Sequence, residues 1–192
     1  MHSKRTVIAT AAILVLAGAL GWVAGLNAAP GEDEQHDHNR LLTPPPALRA
    51  EHERLHERLG AAKEAGGKTA EAAARVSEHL AAHFEEEEAY AMPPIGLLQP
   101  LAEGEATEDM RPAIEMADKL QANYQVMLDE HERILEALVQ LERAARAEDK
   151  PEQVRFARDL IHHAKVEEQV LYPATIVIGK YLRTQLDDAT ER

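Results

Sequence analysis

HFEEEEAYAMP at residues 83–93 returns, changed in detail, as HAKVEEQVLYP at residues 163–173. His83 aligns with His163, Glu87 with Glu167 and Pro93 with Pro173. A second echo precedes each copy: EHERL (51–55) returns as EHERI (130–134), which aligns His52 with His131. Repetition of this length is the mark of a duplicated supersecondary unit. A histidine and a glutamate four residues apart lie on one face of a helix. Each copy therefore reads as a helical hairpin, and the two together as a pseudo-twofold bundle with its shared site on the axis.

Helical periodicity supports this across the rest of the chain. Four helices are predicted at 46–65, 69–92, 110–147 and 151–172, with a short fifth after Pro173. Pro46, Pro112 and Pro151 suit first-turn positions, Gly66-Gly67 separates the first helix from the second, and Pro93-Pro94 ends the second. No stretch shows strand alternation, so the fold class is all-α, an up-down four-helix bundle. The inward stripes are Leu48, His52, Leu55, Leu59; Val76, Leu80, His83, Glu87, Tyr90; Leu120, Tyr124, Met127, His131, Ile134, Leu138, Leu141; and Phe156, Leu160, His163, Glu167, Val170. Histidine interrupts every stripe and glutamate interrupts two. An unpaired carboxylate buried there costs several kcal/mol, so something positive must face it.

Composition excludes other chemistries. There are no cysteines, hence no disulfide, thiolate metal site or cysteine nucleophile. The net charge of −13 opposes phosphate backbones, so no nucleic-acid partner is expected. Ten histidines in so acidic a chain are the unusual count.

The N-terminus reads as an address. Lys4 and Arg5 precede Val7–Leu26, an apolar run long enough as a helix to span roughly 30 Å of hydrocarbon. Residues 1–29 are therefore expected to be a signal-anchor, with a cleaved signal peptide as the competing reading. Either way the domain at 47–192 is exported, outside the cytoplasmic membrane and periplasmic in a diderm bacterium. Residues 30–46, with His36 and His38, form a charged, proline-ended linker.

His52, His83, Glu87, His131, His163 and Glu167, with His56 one turn beyond His52, offer five imidazoles and two carboxylates. That set suits a pair of divalent transition metals. The pattern H…HxxxE…H…HxxxE, together with the tail EEQVLYP at 167–173, resembles the hemerythrin-like, or HHE cation-binding, proteins over about residues 47–178. The resemblance implies a non-haem di-iron centre that binds O₂ or a similar small ligand such as NO. Zinc or manganese could replace the two Fe ions. Peroxide or nitric oxide detoxification, iron handling and sensing are the alternative uses of such a centre.

Two departures from the oxygen-carrier pattern stand out. Carriers place a second histidine on the third helix, where this chain has Leu135, and the His-x-x-x-His pair is instead His52 and His56. The final ligands are four apart rather than five. If the halves have exchanged roles, one iron takes His52, His56 and His83, and the other takes His131 and His163 with a position open beside Leu135. His52-Glu53-Arg54-Leu55-His56 also matches the H-E-x-x-H zinc protease signature, although no strands flank it to present a peptide. Glu85, Glu86 and Glu88 read as a solvated face, His79 and His162 as surface, and Tyr124 as a cap over the pocket or as core.

Overall fold

A computed structural model describes residues 42–190, with side chains to Asp187. The expected anchor, Val7–Leu26, and His36 and His38 lie outside the described residues. Among the described residues there is no strand, and no helix is long and apolar enough to cross a membrane.

Four helices build the bundle: α1 (Pro46–Glu64), α2 (Gly67–Glu86), α3 (Pro112–Ala147) and α4 (Pro151–Val166). Proline opens α1, α3 and α4 as the sequence predicts, because a first-turn residue has no intrahelical partner for an N–H. Neighbours in sequence are neighbours in space, and α1 closes the ring against α4. Between α2 and α3 the chain makes a 3₁₀ turn at Pro93–Leu97 and a short helix at Leu98–Ala102.

The hairpin ends are tied together at one end of the bundle. Gly66 and Gly67 take φ of 75° and 62°, which favours glycine. A Cβ on Gly67 would collide with the Glu148 carboxylate. That carboxylate accepts the N–H of Lys68 at 2.7 Å and the hydroxyl of Thr69 at 2.7 Å, and pairs with Lys150 at 2.6 Å. Lys150 and these α2 donors hold Glu148 down at about 2. Glu148, from the second hairpin, thus caps the start of α2 in the first.

Both Glu-bearing helices change character at the glutamate. Glu87–Ala91 and Glu167–Leu171 are π-helical turns, closed by the N–H of Met92 on the Glu87 carbonyl (2.8 Å) and by the N–H of Tyr172 on the Glu167 carbonyl. The cause is the proline that follows each, Pro93 and Pro173. It lacks an N–H and its ring clashes with the carbonyl four residues back. Widening the turn relieves that clash. Two expectations are corrected here. The chain does not restart as a short helix after Pro173: α5 (Tyr172–Thr190) continues directly from the π turn for 19 residues. And Val170 is not on the inward stripe but 60% exposed. A wide turn needs one more residue to come back to the same face, so Leu171 is buried instead.

The interior is layered. One apolar cluster near the clasped end gathers Leu55, Leu59, Leu80, Phe84, Ile134, Leu138, Phe156 and Leu160. A second gathers Tyr90, Met92, Leu120, Met127, Leu171 and Tyr172. A third, with Leu97, Ile114, Ile178 and Leu182, seats α5 on α3, where Gly179 lets the helices approach closely over Ala117. The histidines fall between the first two clusters: His131, for instance, follows Met127 of one and precedes Ile134 of the other.

Candidate metal centre

Six buried side chains make a polar layer between those clusters: His52 from α1, His83 from α2, Glu87 from the first π turn, His131 from α3, His163 from α4 and Glu167 from the second π turn. Their donor atoms fall into two groups. His83, Glu87, His131 and Glu167 form one; His52, His163 and Glu167 form the other. Glu167 belongs to both. Its Oε1 lies 2.8 Å from His163 Nε2 and 3.4 Å from His52 Nε2, and its Oε2 lies 3.6 Å from His131 Nε2. Glu87 spans the same gap from the other side, with Oε1 3.4 Å from His83 Nε2 and Oε2 3.8 Å from His52 Nε2.

Every histidine turns Nε2 inward and gives Nδ1 to a carboxylate at the edge. His52 Nδ1 donates to Glu88 at 3.2 Å, and His83 Nδ1 to Glu130 at 2.9 Å. His131 Nδ1 donates to Glu168 at 3.0 Å, and His163 Nδ1 pairs with Glu51 at 3.3 Å. The pattern obeys the pseudo-twofold: each carboxylate is the residue before a site histidine (Glu51, Glu130) or after a site glutamate (Glu88, Glu168). Such an outer carboxylate fixes the tautomer, leaves a lone pair on the inward nitrogen and raises its basicity, which is how ligating histidines are held.

The charges are tightly interdependent. Burial disfavours the charged ring of His83, but Glu87 and Glu130 outweigh it and push the imidazole up to about 9. His52 and His163 are raised likewise, burial being overcome by Glu167 and Glu87. Burial would raise Glu167, yet the hydrogen bonds from His163 and His52 hold it at about 2. The layer therefore favours positive charge at its centre.

The inward atoms fit a pair of cations. His83 Nε2 and His131 Nε2 stand 2.7 Å apart. With both Nδ1 atoms already donating, two lone pairs would face each other unless a proton or a metal ion lies between them. Glu87 Oε2 is buried with no hydrogen-bond partner, which is costly unless something else satisfies it. Imidazole nitrogen and carboxylate oxygen are suitable donors for iron, zinc or manganese.

Of the seven expected ligands the structure brings six together and leaves one out. His56 is exposed, touching Phe84 edge-on and lining a surface cleft with Glu53 and Glu88. One turn from His52 on an outer helix, it faces away from the axis because Leu55 and Leu59 already claim the inward face. The expected partition is corrected with it: His52 groups with His163, and His83 with His131. Leu135 lies in an outer groove with Arg75, His79 and Glu136, not beside an open site. The two histidines of the H-E-x-x-H motif are likewise placed apart, His52 buried in the layer and His56 exposed. His79 and His162 are exposed, as expected.

Sequence reasoning missed five residues. Glu51, Glu88, Glu130 and Glu168 were legible in the repeat itself, as the E-H pairs at 51–52 and 130–131 and the E-E pairs at 87–88 and 167–168. The fifth is Tyr172. Fully buried, it donates its hydroxyl to Glu87 Oε1 at 2.6 Å and sits 3.4 Å from the Nε2 atoms of both His83 and His131. Burial and the charges of Glu87 and Glu167 push this phenol above its ordinary range.

A sequence model of the hemerythrin HHE cation-binding domain matches residues 43–175, well over half of the chain. Neither a curated protein nor a solved structure gives a significant match.

Proposed function

Since the chain belongs to the hemerythrin HHE cation-binding domain family, we propose that its polar layer holds two iron ions and reversibly binds O₂, or a similar small ligand such as NO. The observation that carries the reading is the pair of donor groups that share Glu167. Two ions, one in each group, would share the Glu167 carboxylate, whose charge offsets part of their mutual repulsion.

His83, His131 and Glu87 hold one ion in this reading, His52 and His163 hold the other, and Glu167 spans the two. When bound, the iron supplies electrons and an open coordination position for a diatomic ligand. The protein does the rest. Glu51, Glu88, Glu130 and Glu168 orient the four imidazoles. Phe84, stacked on His52 at 4.3 Å between ring centres, and the apolar cluster behind it keep water from that side of the layer. Tyr172 donates its hydroxyl to Glu87 Oε1 and closes the other side. Restricting water and protons slows irreversible oxidation of whatever binds. Only the physiological metal separates this function from that of a zinc or manganese protein with the same donors.

The test is metal analysis of the full chain, followed by optical spectra of the reduced protein before and after exposure to air. About two irons per chain and a colour change that reverses when oxygen is removed support binding. Steady consumption of peroxide or NO makes the protein a detoxification enzyme instead. One zinc and no response to oxygen sinks the reading.

We also propose that Lys4, Arg5 and Val7–Leu26 anchor the chain with this domain outside the cytoplasmic membrane. Protease digestion of intact and of permeabilised cells tests it. Protection of the domain against a protease that enters only the outer compartment rejects it.

A further inference from the structure

The chain is poor in aromatic residues, with four tyrosines, two phenylalanines and one tryptophan. Three of the four tyrosines, Tyr90, Tyr124 and Tyr172, nevertheless gather in the single apolar cluster on one side of the polar layer. Packing alone does not require tyrosine there. In the repeat, the position of Tyr172 is filled by Met92, which is equally buried. A phenol in a fully buried slot must find a partner for its hydroxyl, and Tyr172 finds it on the metal-binding side.

Tyr172 is in contact with the layer and with the way out. Its ring stacks on His131 at 5.7 Å and 14°. Its hydroxyl donates to Glu87 Oε1 at 2.6 Å. On its other side the ring of Tyr124 meets it edge-on, with 6.2 Å between ring centres. Tyr124 is only partly buried and reaches the bundle surface. Imidazole, phenol and phenol therefore run in close succession from the centre of the layer to solvent.

We infer that Tyr172 and Tyr124 form a one-electron path between the buried centre and the surface, carrying oxidising equivalents out of the core. This rests on the reading of the layer as an iron centre. The oxidant is hydrogen peroxide. Its O–O bond breaks and two waters form, which takes up two electrons and two protons. Tyr172 and Tyr124 each give one electron and one proton and become phenoxyl radicals, so atoms and charge balance. The proton of Tyr172 moves along the existing bond to Glu87 Oε1 and on to one peroxide oxygen; that of Tyr124 leaves to solvent at the surface, and one solvent proton reaches the second peroxide oxygen in its place. A water-soluble one-electron reductant then refills Tyr124 without entering the bundle.

The experiment uses the full chain loaded with iron, its metal content measured in each sample. The protein is mixed with hydrogen peroxide, frozen, and read by electron paramagnetic resonance, with ring-deuterated tyrosine to identify the radical. A tyrosyl signal is expected in the wild type. It is lost in Tyr172→Phe, which keeps the ring and the packing. In Tyr124→Phe, which touches no metal-binding atom, the radical forms but stays on Tyr172 and resists ascorbate. In Tyr181→Phe, an exposed position, the signal is unchanged. Iron binding with no tyrosyl radical, or an undiminished signal in Tyr172→Phe at equal iron content, overturns the path and leaves the iron centre standing. A radical in Tyr124→Phe that ascorbate still quenches overturns it too. A chain that takes up no iron overturns both.

Discussion

The two hairpins carry the same chemistry but not the same surroundings. In each, a histidine precedes by one hairpin arm a His-x-x-x-Glu that ends in a π turn and a proline. In the first, the chain leaves the bundle after Pro93 by a 3₁₀ turn. In the second, it runs on past Pro173 as α5 and packs along α3. The slot beside the layer is Met92 in one and Tyr172 in the other. The carboxylates differ as well: Glu167 belongs to both donor groups, whereas Glu87 belongs to one and approaches His52 of the other at 3.8 Å. The repeat gives a symmetric set of donors, and the differences around it make the two donor groups unequal.

The largest expected effect breaks that inequality open. Glu167→Ala should abolish binding of both ions, and Glu87→Ala should leave one, because Glu167 Oε1 lies 2.8 Å from His163 and 3.4 Å from His52, whereas Glu87 approaches that second group only at 3.8 Å. Metal analysis after gel filtration distinguishes the outcomes, and equal losses in the two variants would mean the carboxylates are equivalent after all.

Next come the outer carboxylates. Glu168 is 31% exposed and Glu88 51%, although they hold symmetry-related histidines. Removing either as the Gln variant should weaken metal affinity by about 10–100-fold. Glu168→Gln is expected at the upper end, since the better-shielded charge is screened less. Competition titration against a chromophoric chelator measures both, and a larger loss in Glu88→Gln would reverse the order.

The metal-free protein should show a stability optimum in mildly acidic solution. His83 is raised from 6.5 to about 9, so its contribution is complete below pH 6.5 and disappears as pH rises through about 9. His52 and His163 act in the same direction. Glu167 is lowered from 4.5 to about 2, so its contribution is present above pH 4.5 and lost as pH falls through about 2. Thermal unfolding in the presence of chelator should therefore be highest between pH 4.5 and 6.5. Metal affinity should do the opposite on the alkaline side and climb toward pH 9, as protons stop competing. A metal-free melting temperature that is flat from pH 6.5 to 9 would show that these pairs do not form.

The smallest expected effect is none. His56→Ala should leave metal content and optical spectrum unchanged, because the side chain stands outside both donor groups. A lost ion in this variant would restore the first-helix pair as ligands and with it the unequal-halves partition expected from sequence.

Much of this was legible in the sequence because the repeat and the helical period point the same way. Pro46, Pro112 and Pro151 marked the helix starts, and six of the donors fell on stripes that periodicity alone picks out. His56 was misplaced because motif matching has no phase: it lies one turn from His52, but the inward face of α1 is held by Leu55 and Leu59. Val170 was misplaced because a fixed period was carried through a π turn that the following proline imposes. The outer carboxylates repeat with the donors they hold, but an acidic side chain beside a donor has the same sequence signature whether it faces water or an imidazole. Tyr172 needed the three-dimensional fold, since the atoms it touches lie 41 to 89 residues away.

The two π turns have a consequence for how such a chain can change. A straight helix transmits any rotation along its whole length, so a substitution that reseats α5 on α3 would also swing Glu167. The wide turn at Glu167–Leu171 offsets the phase of the helix between them. On one side, angular position is set by the donors; on the other, by the lid of packed helix. Shortening that turn by one residue would force a single phase on both and rotate the far segment by about 100°. Keeping it lets the outer segment drift, lengthen or be replaced over generations while the carboxylate keeps its aim.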